Sequence, residues 1–106
     1  MLYNMSEIKR PEDCRSIEDI RNEIDRIDEE IIFLFSERLQ YVREIVKFKA
    51  PDKTSITAQE RYDKVIANRG KLARIQGLDG STFENVYRIL LDYYTLEQYK
   101  ILENSK

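Results

Sequence analysis

Apolar residues at Ile17, Ile20, Ile24, Ile27, Ile31 and Leu34, and again at Tyr41, Ile45 and Phe48, recur in steps of three and four. That spacing predicts one amphipathic helix from Ile17 to Lys49 with a coiled-coil-like seam, and neither proline nor glycine interrupts it. At 1.5 Å per residue the run would span roughly 50 Å, against a radius of gyration of about 13 Å for a compact chain of this length. Its seam therefore needs cover from outside the subunit. A second copy is the simplest cover, which predicts an intertwined helical homodimer.

Before this helix, residues 1–15 read as an irregular lead-in containing Pro11; residues 16–106 read as a single helical domain. Ser16 offers an N-cap, with Asp19 three positions on as a short version of the capping-box acid. Pro51 disfavours helical geometry at Ala50 and ends the first helix there, and 51–56 is expected to be a short, mobile polar loop. Thr57 and Glu60 form a Thr-x-x-Glu capping box for a second helix, which continues through Ala58, Tyr62, Val65, Ile66, Leu72 and Ala73 towards Gln76. Gly70 can loosen it midway, and Gly77 reads as its C-terminal glycine. Ser81 and Glu84 form another capping box for a third helix, whose inward face is Phe83, Val86, Tyr87, Leu90, Tyr94 and Ile101. The fold class is all-α, with three helices per subunit and a long first one.

Composition sharpens this picture. A chain of 106 residues is one domain; 42% hydrophobic and 36% charged residues suit a soluble helical protein, and three glycines with two prolines leave little room for sheet and turns. The net charge of −2 disfavours a nucleic-acid partner, which would ask for a basic excess. Met1 to Arg10 holds no apolar signal core and no stretch reaches membrane-spanning length, so a cytoplasmic protein is expected. Cys14 is the one cysteine and reads as incidental. Histidine is absent. That removes the commonest general base and the commonest transition-metal ligand, so any catalysis here is expected to use electrostatics and positioning, with no cofactor and no metal. The acids Asp25, Asp28, Glu29 and Glu30 spread around a helix without converging and read as a solvated face.

Four positions depart from the apolar pattern in a suggestive way. Counting in sevens from Ile17 through Ile24 and Ile31 reaches Arg38, a guanidinium where an aliphatic side chain belongs; it is a buried ion pair, a snorkelling side chain near a frayed stretch, or an inward cation awaiting an anionic ligand. Arg21 and Lys49 flank the seam at opposite ends of the rod and cannot meet within one chain. In an intertwined dimer, Arg21 of one subunit can approach the Lys49 end of the other. Gln98 lies on the inward face of the third helix, between Tyr94 and Ile101, either as a satisfied core amide or as a hydrogen-bond donor to a ligand.

The runs Pro11-Glu12-Asp13-Cys14, Asp19-Ile20-Arg21 and Ile24-Asp25-Arg26-Ile27-Asp28, then Arg38, Phe48-Lys49-Ala50, Glu60-Arg61 and Glu97-Gln98-Tyr99-Lys100, closely resemble the isochorismate-pyruvate lyases, members of the all-helical chorismate mutase superfamily. The likeness runs from Pro11 to Lys100; the Ile-Asp-x-Ile-Asp element marks the superfamily, and the Pro-Glu-Asp-Cys lead-in marks the lyase branch. It implies an intertwined homodimer with two equivalent sites, Arg21 reaching each from the partner. It also implies that Arg38 and Arg61 grip the substrate carboxylates, while Lys49 and Gln98 face the ether oxygen. The substrate so implied, isochorismate or chorismate, is a dianion, which bidentate guanidinium groups suit.

Around Arg61 the sequence departs from the mutases, which usually carry Asp three residues earlier and Glu immediately after; here those positions are Ala58 and Tyr62. The departure resembles the lyase branch and implies pericyclic loss of pyruvate from isochorismate to give salicylate, with weak chorismate mutase activity as a companion. The alternatives are chorismate mutase as the main activity, or a non-catalytic helical dimer, which would have no need of Arg21, Arg38, Lys49, Arg61 and Gln98 together.

Overall fold

The computed structural model describes residues 8–105. Most of the extension Met1 to Arg10 therefore lies outside the described residues, and the lead-in is seen from Ile8. The elements are α1 (Ile17–Glu44), α2 (Lys53–Thr57), α3 (Gln59–Ile75) and α4 (Gly80–Asn104), with single 3-10 turns at Pro11–Asp13 and Ile45–Phe48. Among the described residues there is no strand, and the chain is all-α with three long helices. Two compact units divide between Leu39 and Gln40, inside α1.

In the first unit, Ser16 caps α1 as expected: its hydroxyl accepts the Asp19 N–H at 3.0 Å, while the Asp19 carboxylate reaches back to the Arg15 N–H at 2.9 Å. The Arg15 N–H and the Lys9 ammonium hold the Asp19 carboxyl below its ordinary pKa. Lys9 ties the lead-in to α1, its Nζ 3.2 Å from Asp19 and its N–H donating to Glu23. Arg26 pairs with Glu23 and Glu30 on that helix. No residue of α1 is buried. Its seam is open: Ile17, Ile24 and Leu34 are 65%, 51% and 56% exposed.

Five expectations from the sequence need correction, four of them at the ends of the helices and in the loop between them, the fifth at Gly70. The first helix does not run to Lys49 but tightens after Glu44 into the 3-10 turn, leaving Lys49 extended at φ −100°, ψ 148°. The expected polar loop contains α2, capped by Asp52, which accepts the Ser55 N–H at 2.8 Å, and anchored by Ile56, only 1% exposed. Five residues are too few to show a helical period, so the element was illegible. Thr57 does not cap α3; the N-cap is Ala58, in the left-handed region at φ 47°, with no side-chain hydrogen bond. Ser81 does not cap α4 either. Asp79 does, accepting the Thr82 N–H at 2.9 Å and the Thr82 hydroxyl at 2.6 Å, so the capping residue lies two positions before the expected serine.

The second unit is held by α3 packed on α4, with Val65, Ile66 and Ala73 buried from the first and Tyr94 and Leu102 from the second. Gly70 does not loosen α3. It lets Glu84 of α4 lie against the helix, and a β-carbon there would stand 2.6 Å from the Glu84 carboxylate. Gly77 ends α3 as expected, with φ +79° and a paired cap in which Leu78 N–H bonds the Ala73 carbonyl at 2.9 Å and Gly77 N–H bonds Arg74 at 3.0 Å.

Candidate active site

Because the 3-10 turn releases the chain before Pro51, Lys49 leaves the helical path, and its ammonium meets two acceptors. The Ile56 carbonyl of α2 and Gln98 Oε1 of α4 each stand 2.9 Å away. Burial alone drives the Lys49 pKa below its ordinary 10.5, since taking an ammonium from water disfavours its charged form. An ammonium has three donors, and two of them are fixed here.

Gln98 is 7% exposed, so the inward position read from the sequence is a buried one. With Oε1 accepting from Lys49, its NH2 group is the part able to donate. The reading of Gln98 as a satisfied core amide thus holds for its oxygen side. Lys49 also lines a cleft of about 250 Å³ with Arg43, Ile56, Ile101 and Leu102. Arg43 faces Glu97 at 3.8 Å, and Lys47 is paired with Glu44, so neighbouring cations already have counter-charges. A larger groove of about 590 Å³ on the outside of α4, between Tyr93 and Asn104, has no buried polar group among its lining residues and is not the candidate site.

Lys49 and Gln98 are the two predicted residues that the structure brings into contact, across 49 positions of sequence. Arg61 is exposed in the first turn of α3 and forms no ion pair with another described residue. Arg21 in α1 is likewise exposed and pairs with no described residue, in contrast to Arg26, which is committed to two glutamates. Arg38 is half-buried and engaged. At the two positions flanking Arg61, Ala58 forms the left-handed junction between α2 and α3, and Tyr62 donates its hydroxyl to Asp92 at 3.0 Å. Desolvation and the facing Asp92 carboxylate push the Tyr62 phenol above its ordinary value, so it remains a neutral donor.

Sequence reasoning missed the Ile56 carbonyl, which no residue type could have signalled. It also misassigned Thr57, whose hydroxyl is 2.5 Å from the Tyr99 hydroxyl instead of capping α3.

Within the second unit, this all-helical chain sets a desolvated lysine against a buried glutamine, a pairing whose chemistry suits a small anion. The neutral amide and the ammonium together favour an oxygen acquiring negative charge. The chain belongs to the chorismate mutase type II family, which it matches over residues 20–99, a span containing Arg21, Arg38, Lys49, Arg61 and Gln98. It is 37% identical over 99 residues to the isochorismate pyruvate lyase of Pseudomonas aeruginosa, covering 93% of this chain and 97% of that protein. It is also 34% identical over 73 residues to the T-protein of Haemophilus influenzae, covering 69% of this chain and 19% of that protein. No helix among the described residues is long and apolar enough to cross a membrane.

Proposed function

We propose that this chain is an isochorismate-pyruvate lyase. The observation that carries the reading is the Lys49 ammonium held at 2.9 Å by Ile56 O and Gln98 Oε1, with one donor left over. In the reaction, a ring hydrogen passes to the methylene carbon of the enolpyruvyl group as the ether C–O bond breaks: the C–H pair stays behind as the new ring double bond, the C–O pair moves to the oxygen to become the pyruvate carbonyl, and the enol double-bond pair forms the new methyl C–H bond. The ring becomes aromatic salicylate, and the departing group becomes pyruvate. No base or nucleophile is consumed, which fits a chain without histidine.

The free N–H of Lys49 and the Gln98 amide face the ether oxygen, where charge grows as the bond breaks, so their interaction is stronger in the transition state than in the ground state. Arg38 and Arg61 hold the two carboxylates and fix the folded conformer. Arg21 comes from the partner subunit of a homodimer. Support for that assembly is the open seam of α1, whose row of exposed isoleucines and leucine is the kind of apolar stripe that an oligomer interface covers. Residues 16–106 act as one domain in that dimer and residues 1–15 as its lead-in. The enzyme is cytoplasmic, works without metal or cofactor, and takes neither nucleic acid nor membrane as partner.

Ala58 and Tyr62 favour the lyase over the mutase, because neither supplies the carboxylates with which mutases engage the chorismate hydroxyl. The match to the chorismate mutase type II family supports a minor mutase activity alongside, since both reactions break the same ether bond. Incubating the pure protein separately with isochorismate and with chorismate tests the reading. Salicylate and pyruvate from the first, with at most slow prephenate formation from the second, is the expected outcome; fast prephenate formation with no salicylate refutes it.

A further inference from the structure

Lys49 depends on a carbonyl that its own helix does not provide. Ile56 belongs to α2, and a helix of five residues has no stability of its own, because nucleation is unfavourable and there is almost no length over which to recover it. The position of the Ile56 carbonyl is therefore set by whatever pins α2. One pin is the buried Ile56 side chain and another is the Asp52 cap. A third links α2 to α4: the Thr57 and Tyr99 hydroxyls are 2.5 Å apart, and the Lys53 ammonium lies over the Tyr99 ring at 5.8 Å.

These links form a closed circuit. Lys49 bonds the Ile56 carbonyl; Ile56 is followed in the chain by Thr57; Thr57 bonds Tyr99; Tyr99 follows Gln98; and Gln98 Oε1 bonds Lys49. We propose that Thr57 and Tyr99 are positioning residues for Lys49, their hydroxyl–hydroxyl bond closing a ring that fixes the direction of the one ammonium donor left for the ligand. The proposal rests on the lyase reading for the identity of that ligand, but the ring itself does not. Neither hydroxyl touches the reacting atoms; each acts through the Ile56 carbonyl or the Gln98 backbone. Opening the ring removes neither of Lys49's acceptors but lets α2 shift and carry the Ile56 carbonyl with it, so the third donor wanders from its aim and water reaches the ammonium.

The test uses Tyr99→Phe and Thr57→Val, which remove one hydroxyl each at nearly constant shape, with Thr57→Ser as the variant that keeps it. On isochorismate, each of the first two should lower kcat about three- to tenfold, the scale of one hydrogen bond, with KM within about twofold. Thr57→Ser should retain most of the rate, and the double variant should be no slower than the slower single one, because a ring already open cannot be opened again. The alkaline limb of kcat should move up towards that of an ordinary lysine as Lys49 regains water. Arg43 and Lys47, cations lining the same cleft, are unchanged in every variant. Multiplicative losses in the double variant, an unmoved kcat, or a lower Tm with an unmoved alkaline limb each overturn the proposal.

A second readout does not need turnover. In protein carrying 13C-labelled lysine, the Lys49 Cε resonance, identified by its absence in Lys49→Arg, should titrate below the ordinary lysine range and move up in Tyr99→Phe. Should the wild type turn over neither substrate, the lyase reading fails and this titration still decides the ring: an upward move supports it, and no move overturns it.

Discussion

Replacing Lys49 with alanine separates rate from binding more sharply than any other single change. The structure gives the ammonium two fixed acceptors at 2.9 Å; under the proposed lyase reading its third donor serves the ligand, so the variant loses a preorganised charge that acts mainly on the transition state. Removing one oxyanion donor from a preorganised site costs about 10²–10³ in kcat, or roughly 2.7–4 kcal/mol. A fall of about that size is expected here, with KM changing far less. Lys49→Gln keeps a donor without the charge and should recover little. Arg61→Ala, which removes a grip on a carboxylate whose charge hardly changes, should act through KM instead. The assay is initial-rate salicylate formation from isochorismate, with circular dichroism melts to check folding, because the variant also leaves the Ile56 carbonyl and Gln98 Oε1 without their shared donor. A folded Lys49→Ala protein that keeps most of its kcat refutes the assigned role.

Light scattering should show a dimer, and Ile27→Asp or Ile31→Asp should unfold the protein instead of yielding stable monomers, because in the proposed dimer the seam serves as both core and interface; a folded wild-type monomer of 12.7 kDa contradicts this. Because burial lowers the Lys49 pKa and the protonated form is the active one, kcat should fall as pH rises through a value below the ordinary 10.5, read from the pH–rate profile. Between that lowered value and the unfolded one the unfolded chain binds more protons, so Lys49's contribution to stability rises with pH there. Gly77→Ala should destabilise by about 1–2 kcal/mol at an open site where only the positive φ resists a side chain, whereas Ala58→Gly should relieve a left-handed alanine and raise Tm; melting curves that reverse these signs would contradict the backbone assignment.

Periodicity carried the long helices well because each buries or presents a continuous face. The α1 seam, the Gly77 stop and the inward side of Gln98 all follow from spacing and from the one residue that accepts positive φ cheaply. Short-range competition was harder to read. Asp79 and Ser81 are both good caps two residues apart, and only the folded backbone decides that the Asp79 carboxylate reaches the Thr82 N–H first. Thr57 offered a complete capping box, yet a tyrosine forty-two positions away claimed its hydroxyl.

For the site, pattern alone singled out Arg38 and Gln98 as polar residues on apolar faces, and the resemblance supplied their roles along with those of Arg21, Lys49 and Arg61. Contact between Lys49 and Gln98 was not legible from either residue's surroundings in sequence. It depends on the break after Phe48, which turns Lys49 off the helical path, and on α2, whose single buried anchor is Ile56. The carbonyl that completes the lysine's coordination belongs to the backbone, where every residue looks alike.

Under the proposed lyase reading this chain eliminates pyruvate from isochorismate by direct hydrogen transfer, and isotope tracing addresses that transfer most directly. Isochorismate carrying deuterium on the ring carbon that surrenders its hydrogen would be converted by the pure enzyme in ordinary water, and both products would be analysed by mass spectrometry. The expected result is salicylate without deuterium at that carbon and pyruvate with one deuterium in its methyl group. Pyruvate carrying only solvent hydrogen, or prephenate in place of salicylate, would contradict it.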